Sequence, residues 1–328
     1  MEEKNYIPKS ESAKAAAGSA ADVAVIGAGP AGLTAALYAA RAGLSCMLFE
    51  RMVAGGQLGQ TEHVENYPGF PEGVNGFELA FAMKQQAERF GARFVGEEVV
   101  SVDFSKPAKV LSTAFGSYQA RTVIVATGAR ARKLDVPLED ALAGRGVSYC
   151  ATCDGNFFRG KTVAVVGGGN TAVADAIYLS RICEKVLLVH RRDTLRATKV
   201  YHERLQELPN VEFYWNSQVK GLVAEDGKLA GLRIEQTSED GAPRMLTVSA
   251  AGLFVAVGTQ PNSEFLRDAL ELNEKGYVVA GETGATSVPG VFAAGDVRAK
   301  SLRQVVTAAG DGAVCAEQVS AYLAASEA

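Results

Sequence analysis

Short apolar runs rich in valine and isoleucine alternate with longer stretches rich in alanine and leucine along this chain of 328 residues. The first run, VAVIG at 23–27, predicts a buried parallel strand, because strands covered on both faces carry continuous apolar sequence. Residues 30 to about 42 predict a helix, and residues 45–50 predict a second strand. These three elements together predict a βαβ unit.

The same pattern returns in the second half of the chain. VAVVG at 163–167 predicts a strand, residues 170–182 predict a helix, and residues 185–190 predict the strand that follows. A repeated βαβ unit of this kind predicts an α/β fold with two Rossmann-like, three-layer ββα nucleotide-binding domains.

Two similar apolar strands that each end in glycine mark the expected crossings between these domains. They are VIVATG at 123–128, before the second βαβ unit, and LFVAVG at 253–258, after it. We therefore expect the second domain to be inserted in the first. The predicted parts are a flexible N-terminal tail at 1–20, a discontinuous first domain at 21–132 and 258–328, and a second domain at 133–257.

Composition and charge narrow the class of protein. Glycine occurs 35 times, which exceeds its usual share and indicates several tight loops near ligands. The net charge of −4 and the lack of a basic run argue against a nucleic-acid partner. No apolar stretch has the length of a transmembrane helix, and the polar start of the chain lacks the apolar core of a signal peptide. We therefore expect a cytoplasmic protein that does not bind a membrane.

The first glycine-rich loop, GAGPAG, directly follows a predicted strand and opens a predicted helix. Gly27 permits the tight turn, Gly29 lets the backbone approach a pyrophosphate, and Gly32 lets helix and strand pack closely. Glu50, at the end of the next predicted strand, is suited to bind a ribose diol. The alternative is a glycine-rich turn without a ligand, but the strand, the helix and the acid together favour a dinucleotide site.

The second loop, GGGNTA at 167–172, has the same context but is not followed by an acid. Its second strand ends in His190, Arg191 and Arg192, with Arg196 about one turn further on. Arginines bind a 2′-phosphate in bidentate fashion, whereas an acid would repel it, so this site is expected to prefer NADPH over NADH. The alternative is a solvated charged face. We expect His190 to frame the phosphate site rather than to transfer protons.

Two nucleotide sites of different character imply two cofactors that exchange electrons. With NADPH in the second site, FAD is the natural occupant of the first, because FAD carries an adenosine diphosphate. In VFAAGD at 291–296, a strand is expected to end at Gly295, and Asp296 is suited to accept hydrogen bonds from a ribityl chain. A helix start at 303–309 would direct its amides at the flavin pyrimidine. The alternative role for Asp296 is a helix cap.

The sequence CATCD at 150–154 supplies the reactive centre. The spacing of Cys150 and Cys153 lets the two sulfurs bond with little strain, and it lowers the pKa of one of them. Asp154 follows at once and is suited to exchange a proton with the outgoing thiolate. The chain therefore carries a candidate redox-active disulfide.

A zinc half-site or two structural thiols are the alternatives for this pair. Zinc would need a second pair of ligands, whereas the remaining cysteines are isolated and the three histidines show no metal spacing. We therefore expect no metal. The odd, sparse set of five cysteines fits a reducing compartment, with small core residues at Cys46, Cys183 and Cys315.

The motifs resemble one known family in their order and spacing. GAGPAGLTAALYAARAG, GGQL, VENYPG, CATCDG, GGGNTA, HRRD, AGLFVAVG and PGVFAAGD are similar to those of the low-molecular-weight, bacterial-type thioredoxin reductases. The resemblance covers about residues 22–323, and CATCDG together with HRRD and two glycine-rich loops is highly specific. It implies a homodimeric thioredoxin-disulfide reductase that uses FAD and NADPH, with thioredoxin as its partner. The N-terminal tail and the short C-terminal end depart from the family pattern.

The resemblance also assigns roles to individual positions. The residues expected to contact FAD are Gly27, Gly29, Pro30, Ala31, Gly32, Glu50, Arg51, Gly56, Gln57, Leu58, Asn66, Ala126, Thr127, Gly128, Gly295, Asp296, Arg303, Gln304 and Val305. The residues expected to contact NADPH are Gly167, Gly169, Asn170, Thr171, His190, Arg191, Arg192 and Arg196. Cys150 and Cys153 match the redox pair, and Asp154 matches the acid–base residue.

The predicted second domain carries both the cysteine pair and the NADPH loop, and each must come into near contact with the same flavin. One domain is not expected to present both groups at once. We therefore predict a hinge rotation at about Lys133 and Val257, and we expect Cys153 to face the flavin.

Three other functions compete with this prediction. A dithiol oxidase of the same fold would return electrons to oxygen, but it would leave the arginine set unexplained. A reductase for a peroxiredoxin or another carrier often adds an N-terminal redox domain, for which the tail is too short. A non-enzymatic redox sensor would leave the intact CxxC–Asp sequence without a purpose.

Overall fold

The computed structural model describes residues 20–61, 63–238 and 241–327, so residues 1–19 of the predicted tail lie outside the described residues. The chain forms two compact units. The first runs to Ala129 and resumes at Pro261, and the second spans Arg130–Gln260. The sequence-based boundaries fall three residues later at the first crossing and three residues earlier at the second. Which cofactor each unit binds stays a prediction.

Helices and strands alternate along the described chain much as the βαβ pattern predicts. The α-helices are α1 (Pro30–Arg41), α2 (Gly76–Arg89), α3 (Ala151–Asp154), α4 (Asn170–Ser180), α5 (Lys199–Gln206) and α6 (Val305–Glu327). The strands are β1 (Ala21–Ile26), β2 (Cys46–Phe49), β3 (Arg93–Val95), β4 (Ser101–Asp103), β5 (Lys109–Ser112), β6 (Ser117–Val125), β7 (Ala129–Ala131), β8 (Val147–Ser148), β9 (Thr162–Val166), β10 (Lys185–Val189), β11 (Val211–Tyr214), β12 (Ser217–Glu225), β13 (Lys228–Thr237), β14 (Pro243–Ser249), β15 (Gly252–Val255), β16 (Thr259–Pro261) and β17 (Val291–Ala293). Within the described ranges, no helix combines the length and the apolar content needed to cross a bilayer.

The first unit is built on a sheet of order β3-β2-β1-β6-β5-β4, with β17 also paired to β6. The β3–β2, β2–β1, β1–β6 and β6–β17 pairs are parallel, whereas the β6–β5 and β5–β4 pairs are antiparallel. Both faces of β1 are buried. Since successive side chains of a strand point to opposite faces, alternate residues of β1 pack in two different cores. Val23 and Val25 pack in the core that holds α1 and α6, and Ala24 and Ile26 pack in the core on the other face. The predicted buried parallel strand is confirmed.

The second unit repeats this arrangement with a cleaner separation of layers. Strands β11-β10-β9-β15-β8 form a parallel sheet, and β12-β13-β14 form a separate antiparallel sheet. Val163 and Val165 of β9 pack with α4, whereas Ala164 and Val166 pack with Leu232 of the antiparallel sheet. The expected three-layer ββα order is confirmed.

The two apolar strands expected at the crossings between the domains lie inside the sheets instead. VIVATG and LFVAVG form the ends of β6 and β15, and both strands pair with the first strand of a βαβ unit inside the sheets. The boundaries fall a few residues later, in β7 and β16, which pair as a two-stranded sheet. Sequence cannot separate these cases, because an interior strand and a crossing strand can be equally apolar.

Candidate active site and nucleotide sites

The GAGPAG loop forms a tight turn between β1 and α1. The Gly27 amide donates to the Phe49 carbonyl at 2.8 Å, and α1 begins at Pro30 without a side-chain cap. A Cβ on Gly32 would lie 1.8 Å from the Gly27 carbonyl oxygen, so only glycine fits there. A Cβ on Gly29 would meet no described atom within 4 Å. The start of α1 is therefore open on the Gly29 side, as a pyrophosphate site requires.

Glu50 lies at the edge of this loop, where the sequence predicts it. Its Oε2 accepts the Ala28 amide at 3.0 Å, and its Oε1 accepts the Met52 amide at 3.2 Å. The carboxylate is thereby oriented by two backbone donors while keeping lone pairs for a further donor. The neighbouring Arg51 side chain instead pairs with Glu98 at 3.2 Å.

Other predicted flavin residues, distant in sequence, meet in the first unit. Four contacts join them: Gly56 lies against Gly29, Gly27 against Ala126, Gly295 against Ala31, and the Asn66 amide donates to Gln304 Oε1 at 2.9 Å. Gln57 Nε2 donates to the Ala129 carbonyl, Thr127 Oγ1 donates to the Asn262 carbonyl at 2.7 Å, and Leu58 is buried. The structure thus brings together segments around positions 27, 56, 126 and 295 of one fold unit.

Asp296 provides a test of whether these residues fit a flavin nucleotide. Among the described residues, its buried Oδ1 atom has no hydrogen-bond partner. Burial raises the pKa of Asp296, and the nearby Arg303 and Lys300 oppose that rise. A buried acceptor of this kind calls for a donor. A hydroxyl-bearing ribityl chain would supply one, so the residues present fit FAD.

The elements around Asp296 differ in detail from the expectation. β17 ends at Ala293 rather than at Gly295, because Gly295 adopts a φ of 74° and turns the chain into a short 3-10 helix. Helix α6 begins at Val305, so Arg303 and Gln304 precede it. Asp311 of α6 accepts the Gly295 amide at 2.9 Å. Sequence reasoning missed Asp311, since the two residues are joined only by the packing of α6.

The second loop repeats the open helix start of the first. Gly169 precedes α4 without a side-chain cap, and a Cβ on Gly169 would meet no described atom within 4 Å. The Gly167 amide donates to the Val189 carbonyl at 3.1 Å. Asn170 Oδ1 accepts the Thr198 amide at 3.0 Å, which ties the helix start to the segment after β10.

The segment after β10, which carries the cationic residues, contacts this loop at His190 and at the backbone of Arg196. Arg191, Arg192 and Arg196 are exposed, and the Arg196 amide donates to the Gly168 carbonyl at 2.7 Å. His190 is buried against Gly168, where a Cβ would lie 2.1 Å from the imidazole Cε1. Burial lowers the pKa of His190, and the three arginines lower it further, whereas the hydrogen bond to the Thr194 carbonyl raises it. The guanidinium groups are therefore free to meet an anion, while His190 frames the loop.

The predicted cysteine pair is a disulfide between Cys150 and Cys153, with Cα atoms 5.3 Å apart. Cys150 precedes the short helix α3, and its carbonyl accepts the Cys153 amide at 3.3 Å and the Asp154 amide at 3.1 Å. One turn of helix thus presents both sulfurs and the following carboxyl group.

Asp154 is largely buried beside this turn. Burial raises its pKa, and the Ser148 hydroxyl, which donates to Asp154 Oδ2 at 2.6 Å, opposes the rise. Ser148 was not among the predicted site residues. A lone serine two positions before a cysteine carries no signal in one sequence, because its partners depend on the turn that follows.

Glu139 is a second residue near the cysteines that was not among the predicted site residues. It is 2% exposed, and it accepts the amides of Leu134 and Asp135 at 3.0 and 2.8 Å and the Tyr149 hydroxyl at 2.9 Å. Burial and the bond to Glu139 raise the pKa of Tyr149. This carboxylate ties the chain that enters the second unit to the residue before Cys150.

The other three cysteines are buried free thiols, as expected. Burial raises the pKa of Cys46 and Cys315 to about 12 and that of Cys183 to about 11. They are therefore protonated at neutral pH, and thiolate chemistry is left to the Cys150–Cys153 pair.

Comparison with known proteins places the chain in a family. The model for pyridine nucleotide-disulphide oxidoreductases matches residues 21–312. Proteins named thioredoxin reductase from Streptomyces clavuligerus and Bacillus subtilis are 48% and 45% identical, over 93% and 92% of this chain and 94% of each relative.

Among solved structures, a thioredoxin reductase from Streptococcus pyogenes is 42% identical, with a TM-score of 0.86 over 93% of this chain and 98% of its own. The resemblance given by the motifs is thus confirmed over the same part of the chain. The chain belongs to the pyridine nucleotide-disulphide oxidoreductase family, among the thioredoxin reductases.

Proposed function

We propose that this protein is an NADPH-dependent thioredoxin-disulfide reductase that holds FAD in its first unit and NADPH in its second. One observation carries the proposal. The Cys150–Cys153 disulfide lies in a chain with two open glycine loops, one followed by an acid and the other by arginines. Bound FAD and NADPH would supply the two-electron transfer that reduces this disulfide.

In the first unit, the amides at the start of α1 would bind the pyrophosphate of FAD, and Glu50 would accept a hydrogen bond from a ribose hydroxyl. The free Oδ1 of Asp296 accepts a hydrogen bond from the ribityl chain, which satisfies a buried acceptor. Each group binds a part of FAD that does not react, so together they orient the reactive ring.

In the second unit, the amides at the start of α4 bind the second pyrophosphate. Arg191, Arg192 and Arg196 bind the 2′-phosphate, which distinguishes NADPH from NADH. Because His190 is buried and its pKa is lowered, it stays neutral near pH 7 and acts through packing rather than charge.

The reduced cysteines carry the electrons to the substrate. The thiolate of one cysteine attacks the substrate disulfide, forms a mixed disulfide and releases one substrate thiolate. The second cysteine then displaces the other substrate sulfur, which restores the Cys150–Cys153 disulfide and leaves the substrate with two thiols. Asp154 accepts or donates the proton that these thiol–thiolate changes require.

A protein substrate needs a docking surface near this disulfide. Phe157 is 48% exposed on the short helix that follows α3, and large apolar side chains of this kind are typical of interface centres. We propose that it contacts thioredoxin. Phe157→Ala should raise KM for thioredoxin while leaving reduction of the small disulfide reagent DTNB unchanged. An equal loss with both substrates would contradict this role.

Both the cysteine pair and the NADPH loop belong to Arg130–Gln260, while the predicted flavin residues belong to the other unit. We therefore propose a rotation between the units during turnover. A cross-link that locks the units together should preserve either flavin reduction by NADPH or reduction of the disulfide, but not full turnover. Full turnover in the locked protein would contradict the rotation.

We also propose that the protein is a cytoplasmic homodimer. Phe77 and Phe81 stack on α2 and are 50% and 49% exposed, which supports an apolar contact surface on the first unit. Light scattering of the holoprotein should give twice the mass of one chain, and Phe81→Asp should reduce it to one chain. A monomeric wild type would contradict the dimer.

The assay for the proposed function combines purified holoprotein, thioredoxin and either NADPH or NADH. We expect thioredoxin reduction with NADPH and much less with NADH. Cys153→Ser is the matched control, because it removes one sulfur and keeps both nucleotide loops. If thioredoxin stays oxidised while oxygen is consumed, the protein is a dithiol oxidase and the proposal fails.

A further inference from the structure

Ser148 lies at the end of β8, two residues before Cys150, and its side chain faces inward. The residue is 5% exposed. Its hydroxyl oxygen accepts the Cys150 amide at 3.1 Å and lies 2.6 Å from Asp154 Oδ2. One buried hydroxyl thus contacts both the backbone of a redox cysteine and the candidate acid–base residue.

The direction of these hydrogen bonds follows from the chemistry of the hydroxyl. A serine hydroxyl has a single hydrogen, and an ionised carboxylate can only accept. The contact of 2.6 Å to Asp154 therefore takes that hydrogen in preference to the 3.3 Å contact with the Cys150 carbonyl. Because the Cys150 amide donates to the same oxygen, it polarises the hydroxyl and strengthens the bond to Asp154.

We propose that Ser148 is a positioning residue for proton transfer at the cysteine pair, because it fixes the Asp154 carboxyl group against the Cys150 backbone. The inference rests on the proposed redox role of Cys150 and Cys153. It extends that role to a residue outside the CxxC–Asp sequence.

Burial and Ser148 act on Asp154 in opposite directions. Burial raises the pKa of the carboxyl group, and the hydrogen bond from Ser148 lowers it. The titratable groups of the neighbouring elements, Asp175 and Tyr178 of α4 and Arg159 after the short helix, are not among the causes of the shift. Ser148 is therefore the polar group that counters burial.

Removal of the Ser148 hydroxyl should change the pKa of Asp154 in a definite direction. A hydrogen bond to the carboxylate favours the ionised form, so Ser148→Ala should raise the pKa of Asp154 further. The sign does not depend on whether Asp154 acts as acid or base. In either role, the part of the pH profile that reports the titration of Asp154 moves to higher pH.

The test measures the pH dependence of iodoacetamide alkylation of Cys150 and Cys153 in full-length protein reduced with dithiothreitol. Mass spectrometry separates these two sites from the three buried thiols. We expect the alkylation rate to change with pH as Asp154 titrates, and we expect Ser148→Ala to move this inflection of the profile upward by about one pH unit. Ser148→Thr, which keeps the hydroxyl, should restore it. Ser180→Ala, which removes a hydroxyl bonded to the Ile177 carbonyl on α4, should leave it unchanged.

A double-mutant cycle separates positioning from general destabilisation. In an Asp154→Asn background, Ser148→Ala should cause no further change in the alkylation profile. An unchanged profile in Ser148→Ala alone, or an equal shift in both backgrounds, would overturn the proposal. The readout requires neither cofactor nor thioredoxin, so a wild type that fails to reduce thioredoxin would refute only the proposed function.

Discussion

The two glycine loops share one geometry but differ at the positions that select a ligand. Gly29 and Gly169 both precede a helix in extended backbone, with φ of −74° and −95°, and neither helix has a side-chain cap. The following strands end differently, in Glu50 on one side and in His190 with arginines on the other. We therefore expect the common backbone to provide a pyrophosphate site in each unit and the residues after the second strand to decide which ribose fits.

The loops also differ at their last position, which is Gly32 in the first unit and Ala172 in the second. Helix α1 packs between β1 and α6, and α6 approaches so closely that a Cβ on Gly312 would lie 2.1 Å from the Ala31 carbonyl oxygen. Helix α4 packs with the smaller α5 instead. The requirement for glycine at Gly32 arises within the loop itself, because its Cβ would clash with the Gly27 carbonyl, whereas the second loop accommodates the methyl group of Ala172 beside Gly167.

The largest expected effect comes from removing this difference. Gly32→Ala places a methyl group against the Gly27 carbonyl and should cost about 3 kcal/mol of unfolding free energy, with loss of bound flavin. The reciprocal Ala172→Gly should cost about 1–2 kcal/mol, through helix propensity and the loss of one buried methyl group. Urea unfolding and flavin absorbance measure both. Equal effects of the two changes would contradict the asymmetry.

The second prediction removes the cations of the NADPH loop. Arg191→Ala with Arg192→Ala should raise KM for NADPH about 10- to 100-fold, equivalent to about 1.4–2.7 kcal/mol for the two side chains together, because charge-assisted hydrogen bonds of exposed arginines are partly screened by solvent. KM for NADH should stay the same. Arg181→Ala, an exposed arginine after α4, is the matched control. A parallel loss with both nucleotides would show that these arginines are only a solvated face.

The third prediction concerns the acid of the first loop. Glu50→Gln keeps the size of the side chain but turns its amide hydrogens toward one of the two backbone donors, Ala28 and Met52. The Kd for FAD of the apoprotein should rise about tenfold, equivalent to about 1.4 kcal/mol. Glu225→Gln, at an exposed glutamate of the second unit, serves as control, and fluorescence titration is the measurement. A change in KM for NADPH with unchanged flavin affinity would contradict the assignment of the two sites.

The fourth prediction, which has the smallest expected effect, concerns backbone strain. The two units differ in this respect too. In the described part of the chain, the non-glycine residues with left-handed φ are Asp135, Leu138, Asn216 and Asp226, all in the second unit. Leu138 has a φ of 71° and an exposed side chain. Leu138→Gly should therefore stabilise the protein by up to about 1 kcal/mol.

Ala141→Gly provides the control for this change, because Ala141 is exposed in the same segment and has an ordinary φ. Glycine there increases only the entropy of the unfolded chain, so stability should fall slightly. Thermal unfolding of both variants measures the difference. Destabilisation by Leu138→Gly would show that the leucine side chain contributes contacts that outweigh its strain.

Much of the candidate site could be predicted because its parts are local. The strand, the glycine loop and the helix of each nucleotide site lie within about thirty residues, and the loop geometry demands particular residue types. The cysteine pair is local too, since both sulfurs lie on one helical turn. Element ends differ by a few residues, as at Gly295, where a left-handed φ ends the strand early.

Contacts between distant segments could not be predicted. The pairing of β7 with β16 and the antiparallel sheet β12-β13-β14 depend on strands whose partners no local pattern identifies. The same holds for Glu139 with Tyr149 and for Asp311 with Gly295. A single acidic residue in a sequence does not indicate whether it will be solvated or buried.

The sequence by itself predicted the two glycine loops, the cysteine pair and the charge that distinguishes the loops, because these features require residue types at short spacing. Only the tertiary structure decided that a buried oxygen of Asp296 has no hydrogen-bond partner among the described residues and that Ser148 donates a hydrogen bond to Asp154. Burial and hydrogen bonding set the pKa of a carboxyl group, and both arise only when separate segments pack together.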